Sequence, residues 1–161
     1  MRLVRSCRAV LGAVAFAALA SCGGNSPTGP SGVTRAVIAI TVSPSPIPAV
    51  ITSAIGPVFT SQWKVKVSET AGLGGDLQEV RASIFDDATG ILVGSTSFDD
   101  RDLVVFVGTK RVEGGGSLDI EQQLSYRLSA NPTAAALTVQ VRFKDDRGNV
   151  QDQALLVKIT S

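Results

Sequence analysis

The fold of this chain is decided by a stretch of strictly alternating polar and apolar residues, Gln62-Trp63-Lys64-Val65-Lys66-Val67-Ser68. A period of two puts the apolar side chains of this stretch on one face of a β-strand and the polar ones on the other. The stretch therefore predicts a strand with one buried and one wet face. Trp63 is the single tryptophan of the chain, and its place in this pattern predicts that it anchors the core.

The same alternation recurs through the rest of the chain from about residue 35. It predicts further strands at residues 37–42, 80–84, 91–98, 118–128, 137–144 and 150–160. Within the fourth of these, the apolar parity is broken only by Gln122. No window shows a convincing amphipathic helix.

Residues 103–107 differ from the other predicted strands because all five are apolar. Such an uncharged, β-prone run predicts either a central strand or an edge strand that awaits a partner. The central position is favoured, because exposed edges of this kind aggregate.

Turn residues separate the predicted strands. Residues 86–90 and 145–149 are rich in Asp, Gly and Asn, and each predicts a hairpin between two strand patterns. Residues 43–48 contain three prolines and cannot continue a central strand, because proline has no amide donor. Seven or eight short strands with turns between them predict an all-β fold, a single antiparallel β-sandwich.

The strand pattern resembles that of immunoglobulin-like domains of the fibronectin type III and bacterial surface-protein kind. The closing pair of strands around residues 145–149 is similar to the final hairpin of such domains. This resemblance implies an immunoglobulin-like sandwich over residues 35–161. The cysteine pair of antibody domains is absent from the sequence.

The N-terminal segment has the organisation of a secretory signal peptide. Three arginines within the first eight residues precede an apolar run at residues 10–20. That run is too short to span a bilayer, which needs about 20 apolar residues. The stretch that ends it, Leu19-Ala20-Ser21-Cys22, resembles the lipobox of bacterial lipoproteins. The resemblance implies that residues 1–21 are removed and that Cys22 carries the acyl chains, palmitate among them, which anchor the protein to a membrane.

Removal of the signal changes the properties of the chain. The three lost arginines leave 12 basic against 14 acidic residues, so neither nucleic acid nor an anionic surface is indicated as a partner. Cys7 would leave with the signal, and no thiol remains for a disulfide. Residues 22–34 then form a lipidated, Gly/Ser/Pro-rich tether, whose ten residues after Cys22 reach on the order of 15–20 Å. Gly23 follows the cysteine, which resembles the default for sorting to the outer membrane.

The residues offer little for catalysis. The chain has no histidine, which removes the commonest general base and the commonest zinc ligand. Residues 72–75 are rich in glycine but lack the Gly-Lys-Ser/Thr ending of a phosphate loop. The sequence therefore predicts a protein that is not an enzyme and needs no cofactor, with a small hydrolase as the least favoured alternative.

The acidic turns are the sharpest candidates for a binding site. If the strands run up and down in sequence, the two turns lie at one pole, and calcium prefers such oxygen ligands. The candidate ligands are Asp86, Asp87, Asp145 and Asp146. The alternative is plain turn chemistry, because Asp is a favoured turn residue.

Two non-catalytic functions are consistent with these features. The first, which we favour, is a lipid-anchored binding or adhesion module of the cell envelope that meets a protein or glycan. The second is a structural or assembly accessory of an envelope complex. The first predicts an exposed aromatic or acidic cluster at one pole, and the second a sizeable apolar patch or an unpaired strand edge. Four phenylalanines are candidates for an apolar groove, although they could equally fill the core: Phe59, Phe85, Phe98 and Phe106.

Overall fold

The computed structural model describes residues 32–53, 56, 58–128 and 134–160. Cys22, the apolar run before it and most of the tether lie outside these residues. The described elements are the strands β1 (Ile38–Ser43), β2 (Ile47–Ser53), β3 (Val58–Glu69), β4 (Gly75–Asp86) and β5 (Leu92–Asp99), the helix α1 (Asp100–Val107), and the strands β6 (Arg111–Val112), β7 (Ser117–Arg127), β8 (Ala135–Asp145) and β9 (Val150–Thr160).

The strands form the predicted antiparallel sandwich. In the first sheet, β3 lies between β7 on one side and β1 with β2 on the other. In the second sheet the order is β9-β8-β4-β5, and the short β6 pairs with one end of β4. A parallel pairing of two residues, Ile47 with Ile159 and Pro48 with Thr160, joins β2 to β9 and links the two sheets into one hydrogen-bonded path.

The core lies between the sheets and uses the faces that the alternation predicts. Trp63 is 3% exposed, and Val65 and Val67 beside it are fully buried. The second sheet contributes the inward residues of β4 and β8, all of them at most 2% exposed: Leu77, Val80, Ala82, Ile84, Ala135, Leu137, Val139, Val141 and Phe143. Burial of each large apolar side chain stabilises the fold by about 1.5–3 kcal/mol.

The register of β4 and β8 defines the two ends of the sandwich. Gly75 lies opposite Asp145, and Asp86 lies opposite Ala135. The chain enters at the first of these ends, where the amide of Ala36 donates to the Asp145 carboxylate. We call this the entry end, and the end that carries the turn at residues 86–90 the far end.

The prediction of a strand at residues 103–107 is wrong, since these residues belong to helix α1. The Asp99 carboxylate accepts from the amides of Arg101 and Asp102, and the Asp102 carboxylate accepts from the Asp99 amide, which closes a capping box. Gly108 ends the helix at φ 88°, in the left-handed region that favours glycine. These local caps outweigh the strand propensity of the apolar run.

Candidate functional site

The four candidate calcium ligands do not come together. Asp86 and Asp87 lie at the far end, whereas Asp145 and Asp146 lie at the entry end. The expectation that both turns lie at one pole is wrong because residues 103–107 form a helix instead of a strand. With one strand fewer between the two turns, β8 runs in the opposite direction, and the second turn therefore lies at the other end of the sandwich. Across the described ranges, no three acidic side chains are grouped so that they could hold a metal ion.

Turn chemistry explains the first aspartate of each turn. An Asp86 carboxylate oxygen accepts from the amides of Ala88 at 2.9 Å and Thr89 at 3.3 Å. An Asp145 oxygen accepts in the same way from the amides of Arg147 at 3.0 Å and Asn149 at 2.8 Å. Both side chains therefore stabilise the hairpins that the sequence predicts.

Glu69 is a buried carboxylate at the entry end that sequence analysis did not single out. It is 1% exposed and accepts four backbone hydrogen bonds, from the amides of Val37, Ala71, Gly72 and Gly115 at 2.7–3.0 Å. Burial acts to raise the pKa of this carboxyl group, but the four amide donors outweigh burial and lower the pKa below its usual range. The carboxylate thereby ties the chain entry to two loops.

Asp145 binds the chain entry from the other side. Its second oxygen accepts from the amide of Ala36 at 3.2 Å, and the Asn149 side chain donates to it at 2.9 Å. Burial opposes ionisation here too, yet the donors from Asn149, Ala36 and Arg147 lower the pKa of Asp145. Two buried carboxylates therefore fix the point at which the chain enters the domain.

Replacing Asp145 with alanine is expected to loosen the entry end without unfolding the sandwich. The amides of Ala36, Arg147 and Asn149 would lose their acceptor, at a cost of about 1–3 kcal/mol. Hydrogen exchange should become faster at these amides and stay unchanged in the middle of β4. Asp146→Ala is the matched control, because this exposed neighbour pairs with Arg111 instead. Equal protection in both variants would contradict the role given to Asp145.

Arg111 forms ion pairs with the other acidic side chains of the entry end. Its guanidinium pairs with Asp146, with Glu113 at 3.4 Å and with Asp76 at 3.9 Å. The hydrogen bond that Arg111 donates to Asp146 raises the pKa of Arg111, so the guanidinium stays charged throughout the physiological range. Since the protein's own groups engage these carboxylates, the entry end offers no free acidic cluster for a ligand.

A groove of about 830 Å³ lies on the outer face of the first sheet. It arises where residues 43–48 interrupt the regular pairing along β3, as their prolines predict. β1 pairs with β3 as far as Ser43 with Lys64, and β2 resumes at Ala49 with Ser61. We call this surface the sheet groove; its outward-facing residues include Pro44, Pro48, Thr60, Gln62, Lys64 and Gln123.

The sheet groove is rich in neutral hydrogen-bonding groups. The amide of Gln62 donates to the side chain of Gln123, and the hydroxyls of Thr52 and Thr60 lie 3.3 Å apart. Lys64 lies 3.4 Å from Glu121 and 3.6 Å from Asp119, so carboxylates offset its charge. The volume lies within the range of small-ligand sites.

Gln122 explains the break in the apolar parity of β7. It is 5% exposed and faces inward opposite Trp63, whose indole Nε1 donates to Gln122 Oε1 at 3.0 Å. Within the described ranges the Gln122 Nε2 has no hydrogen-bond partner. The amide is therefore the polar partner of the core tryptophan.

The four phenylalanines do not line one groove. Phe59 is buried and stacks on Tyr126, with ring centroids 6.0 Å apart. Phe98 stacks on Phe106 at 5.7 Å, on the side of the sandwich where α1 lies between β5 and β7. Phe85 is half-buried on β4. These rings are therefore divided among the core, the surface beside α1 and the outer face of the second sheet.

The exposed side of α1 is the second candidate surface. Leu103 is fully buried beneath the helix, whereas Val104, Val105 and Phe106 are 50%, 67% and 70% exposed. Three consecutive exposed apolar residues exceed the scattered single ones that are normal on a protein surface. We call these three residues the α1 patch. Sequence analysis missed it because it assigned the run to a strand; the Asp-x-x-Asp spacing at residues 99–102 was the available signal for a helix.

Solved structures share this fold at very low sequence identity. A structural-genomics target named SoR45 matches with a TM-score of 0.59 and 8% identity, over 77% of this chain and 86% of that chain. The putative ApaA protein from Bordetella pertussis matches with a TM-score of 0.55 and 8% identity, over 76% and 93%. The CARDB domain of the PF1109 protein from Pyrococcus furiosus, solved with two metal ions, gives 0.43 and 10% identity, over 78% and 87%.

No family model matches the chain, and no curated protein matches it. In the described part of the chain, no helix has the length and apolar character needed to cross a bilayer. The strand arrangement and the solved structures agree that the described domain is an immunoglobulin-like β-sandwich.

Proposed function

We propose that this chain is a lipid-anchored protein of the cell envelope, held in the outer membrane through Cys22, whose immunoglobulin-like domain is a non-catalytic binding module. The sheet groove is the observation that carries the binding role. The lipobox-like stretch before Cys22 supports the anchor, and the clamped chain entry supports a domain joined to it by a short tether.

The groove favours a glycan ligand over a charged one. Its surface offers paired amides, paired hydroxyls and a lysine balanced by carboxylates. Such a lining matches a neutral, hydroxyl-rich chain, because each ligand hydroxyl can both donate to and accept from these groups. A neutral envelope saccharide is therefore the proposed ligand class, and an extended peptide is the alternative that the test separates from it.

Loss of the groove amides is expected to weaken saccharide binding. The double variant Gln62→Ala/Gln123→Ala removes two hydrogen-bonding side chains and should reduce affinity about tenfold or more. The matched control, Gln140→Ala/Gln153→Ala, removes two exposed amides from the second sheet, neither of which lines the groove. Binding is measured against a panel of neutral oligosaccharides and unrelated peptides. Failure of all the saccharides to bind the wild type, or equal affinity in both variants, would reject the glycan proposal.

The anchor is tested separately from the groove. Cys22→Ala removes the proposed acylation site, so we expect the protein to move from the membrane fraction to the soluble fraction of the envelope. Continued membrane retention of the variant would overturn the lipid anchor.

A structural role is the second candidate, favoured by the edge strand β5. In the described structure β5 pairs only with β4, and its residues from Leu92 to Phe98 carry no charge. Natural edges are usually protected by charged residues or proline. Ser95→Lys would place a charge on this exposed edge and should block strand addition by a partner while leaving saccharide binding intact.

A further inference from the structure

We infer that the α1 patch is a lipid-contacting surface, which rests the domain on the membrane that holds its tether. The inference rests on the lipid anchor proposed above and adds a second, non-covalent contact. Three features carry it: the exposure of Val104, Val105 and Phe106, the position of α1 near the entry end, and the short length of chain between Cys22 and that end.

Helix α1 lies in the half of the sandwich next to the chain entry. It begins after Asp99, which pairs with Glu79, and the chain returns at Lys110, whose carbonyl accepts from the Leu77 amide at 2.9 Å. Glu79 and Leu77 lie four and two positions along β4 from Gly75, which marks the entry end. At about 3.3 Å per residue, the two residues that flank the helix, Lys110 and Asp99, therefore lie about 7 and about 13 Å from that end.

The tether is short enough to bring this helix to the bilayer. Ten residues of Gly/Ser/Pro-rich chain after Cys22 reach about 15–20 Å, comparable to the distance of α1 from the entry end. So short a tether keeps the anchored domain at a high effective concentration next to the lipid. A contact that is too weak to hold the protein on the membrane by itself is therefore still formed.

Helix α1 is fixed at its buried side and at both of its ends. Leu103 fixes it in the core, and Asp99 and Gly108 cap its two ends. Phe106 is held in place by its stacking on Phe98. A rigid turn that presents one aromatic and two aliphatic side chains can enter the headgroup region, as the apolar faces of interfacial helices do.

The charges around the α1 patch indicate which lipid headgroups it can contact. The flanking acidic residues outnumber the basic ones, since Asp99, Asp100, Asp102, Asp119 and Glu121 lie near three basic residues, Arg101, Lys110 and Lys64. Anionic headgroups would repel this rim. The contact should therefore be stronger on zwitterionic phosphatidylcholine vesicles than on vesicles rich in phosphatidylglycerol.

With α1 against the membrane, the side of the sandwich between β5 and β7 faces the lipid. The sheet groove lies on the outer face of the first sheet, and Glu121 lines both the groove and the pocket beside Phe98 and Phe106. The contact therefore gives the displayed groove a fixed orientation relative to the membrane surface.

The test places a fluorescent side chain in the patch of the full lipidated protein. Phe106→Trp is reconstituted on phosphatidylcholine vesicles that contain brominated lipid, and loss of tryptophan emission reports contact with the acyl chains. Leu156→Trp is the matched control, because Leu156 is 69% exposed on the outer face of the second sheet. The buried Trp63 contributes the same background to both variants.

We expect loss of emission and a blue shift for Phe106→Trp, and neither for Leu156→Trp. If the protein stays on the vesicles but Phe106→Trp is not quenched, the contact is overturned and the anchor stands. If the wild-type protein fails to stay on the vesicles, the anchor fails and the contact fails with it. Equal quenching of both variants would also overturn the proposal, because it would show no preferred face.

Discussion

Replacing Glu69 with glutamine is expected to lower the free energy of unfolding by about 2–4 kcal/mol. The carboxylate accepts hydrogen bonds from four backbone amides while 1% exposed. Glutamine keeps one acceptor oxygen and turns an NH₂ group toward amides that are themselves donors. Two of these part-buried amide donors would then lose their acceptor, and the NH₂ group would gain no partner among them.

The same carboxylate should contribute to acid sensitivity. Its pKa is lowered in the folded state, so the unfolded state binds the proton more readily. The stability that Glu69 contributes is then fully present above its ordinary pKa of 4.5 and is lost as the pH falls through the folded value. Glu69→Gln should therefore be least harmful at the lowest pH, and the variant should show a flatter stability profile between neutral and acidic pH.

Urea unfolding at several pH values measures both effects. Glu113→Gln is the matched control, since Glu113 also lies at the entry end but is an exposed partner of Arg111. Such exposed pairs contribute about 0–1 kcal/mol, so the control should remain close to the wild type. A loss in Glu69→Gln no greater than that of the control, or one that grows toward acidic pH, would contradict the role assigned to this carboxylate.

The fold was predictable because most strands carry their burial pattern in the sequence. The alternation around Trp63 and along β8 places the correct residues in the core, and the acidic turns at residues 86–90 and 145–149 do form hairpins. In each case, a period of two and local turn chemistry point to the same structure.

The candidate site was not predictable, because it depended on a single wrong element. Residues 103–107 have strand propensity, but the side-chain caps at Asp99 and Gly108 close a helix around them. That change reversed the direction of β8 and separated Asp86 from Asp145. Glu69 was equally hidden, because two of its four donors, the amides of Val37 and Gly115, come from segments that are distant in sequence.

Truncation of Trp63 to alanine is expected to lower the free energy of unfolding by about 3–5 kcal/mol. The indole is 3% exposed at the centre of β3, and its removal leaves a cavity between the sheets. It also leaves Gln122 Oε1 without its donor, on an amide whose Nε2 already has no partner in the described structure. The loss therefore combines a packing cost with a buried polar group.

A double-mutant cycle separates these two costs and remains informative if Trp63→Ala does not fold. Trp63→Phe keeps most of the volume but removes the donor to Gln122, and Gln122→Leu removes the acceptor. Each single variant leaves one buried polar group of this hydrogen bond without its partner, whereas the double variant removes both groups. The double variant should thus be more stable than the sum of the single losses predicts, by about 1 kcal/mol or more. Strict additivity in urea unfolding would show that the indole acts by packing alone, and that Gln122 breaks the apolar parity of β7 for some reason other than its bond to Trp63.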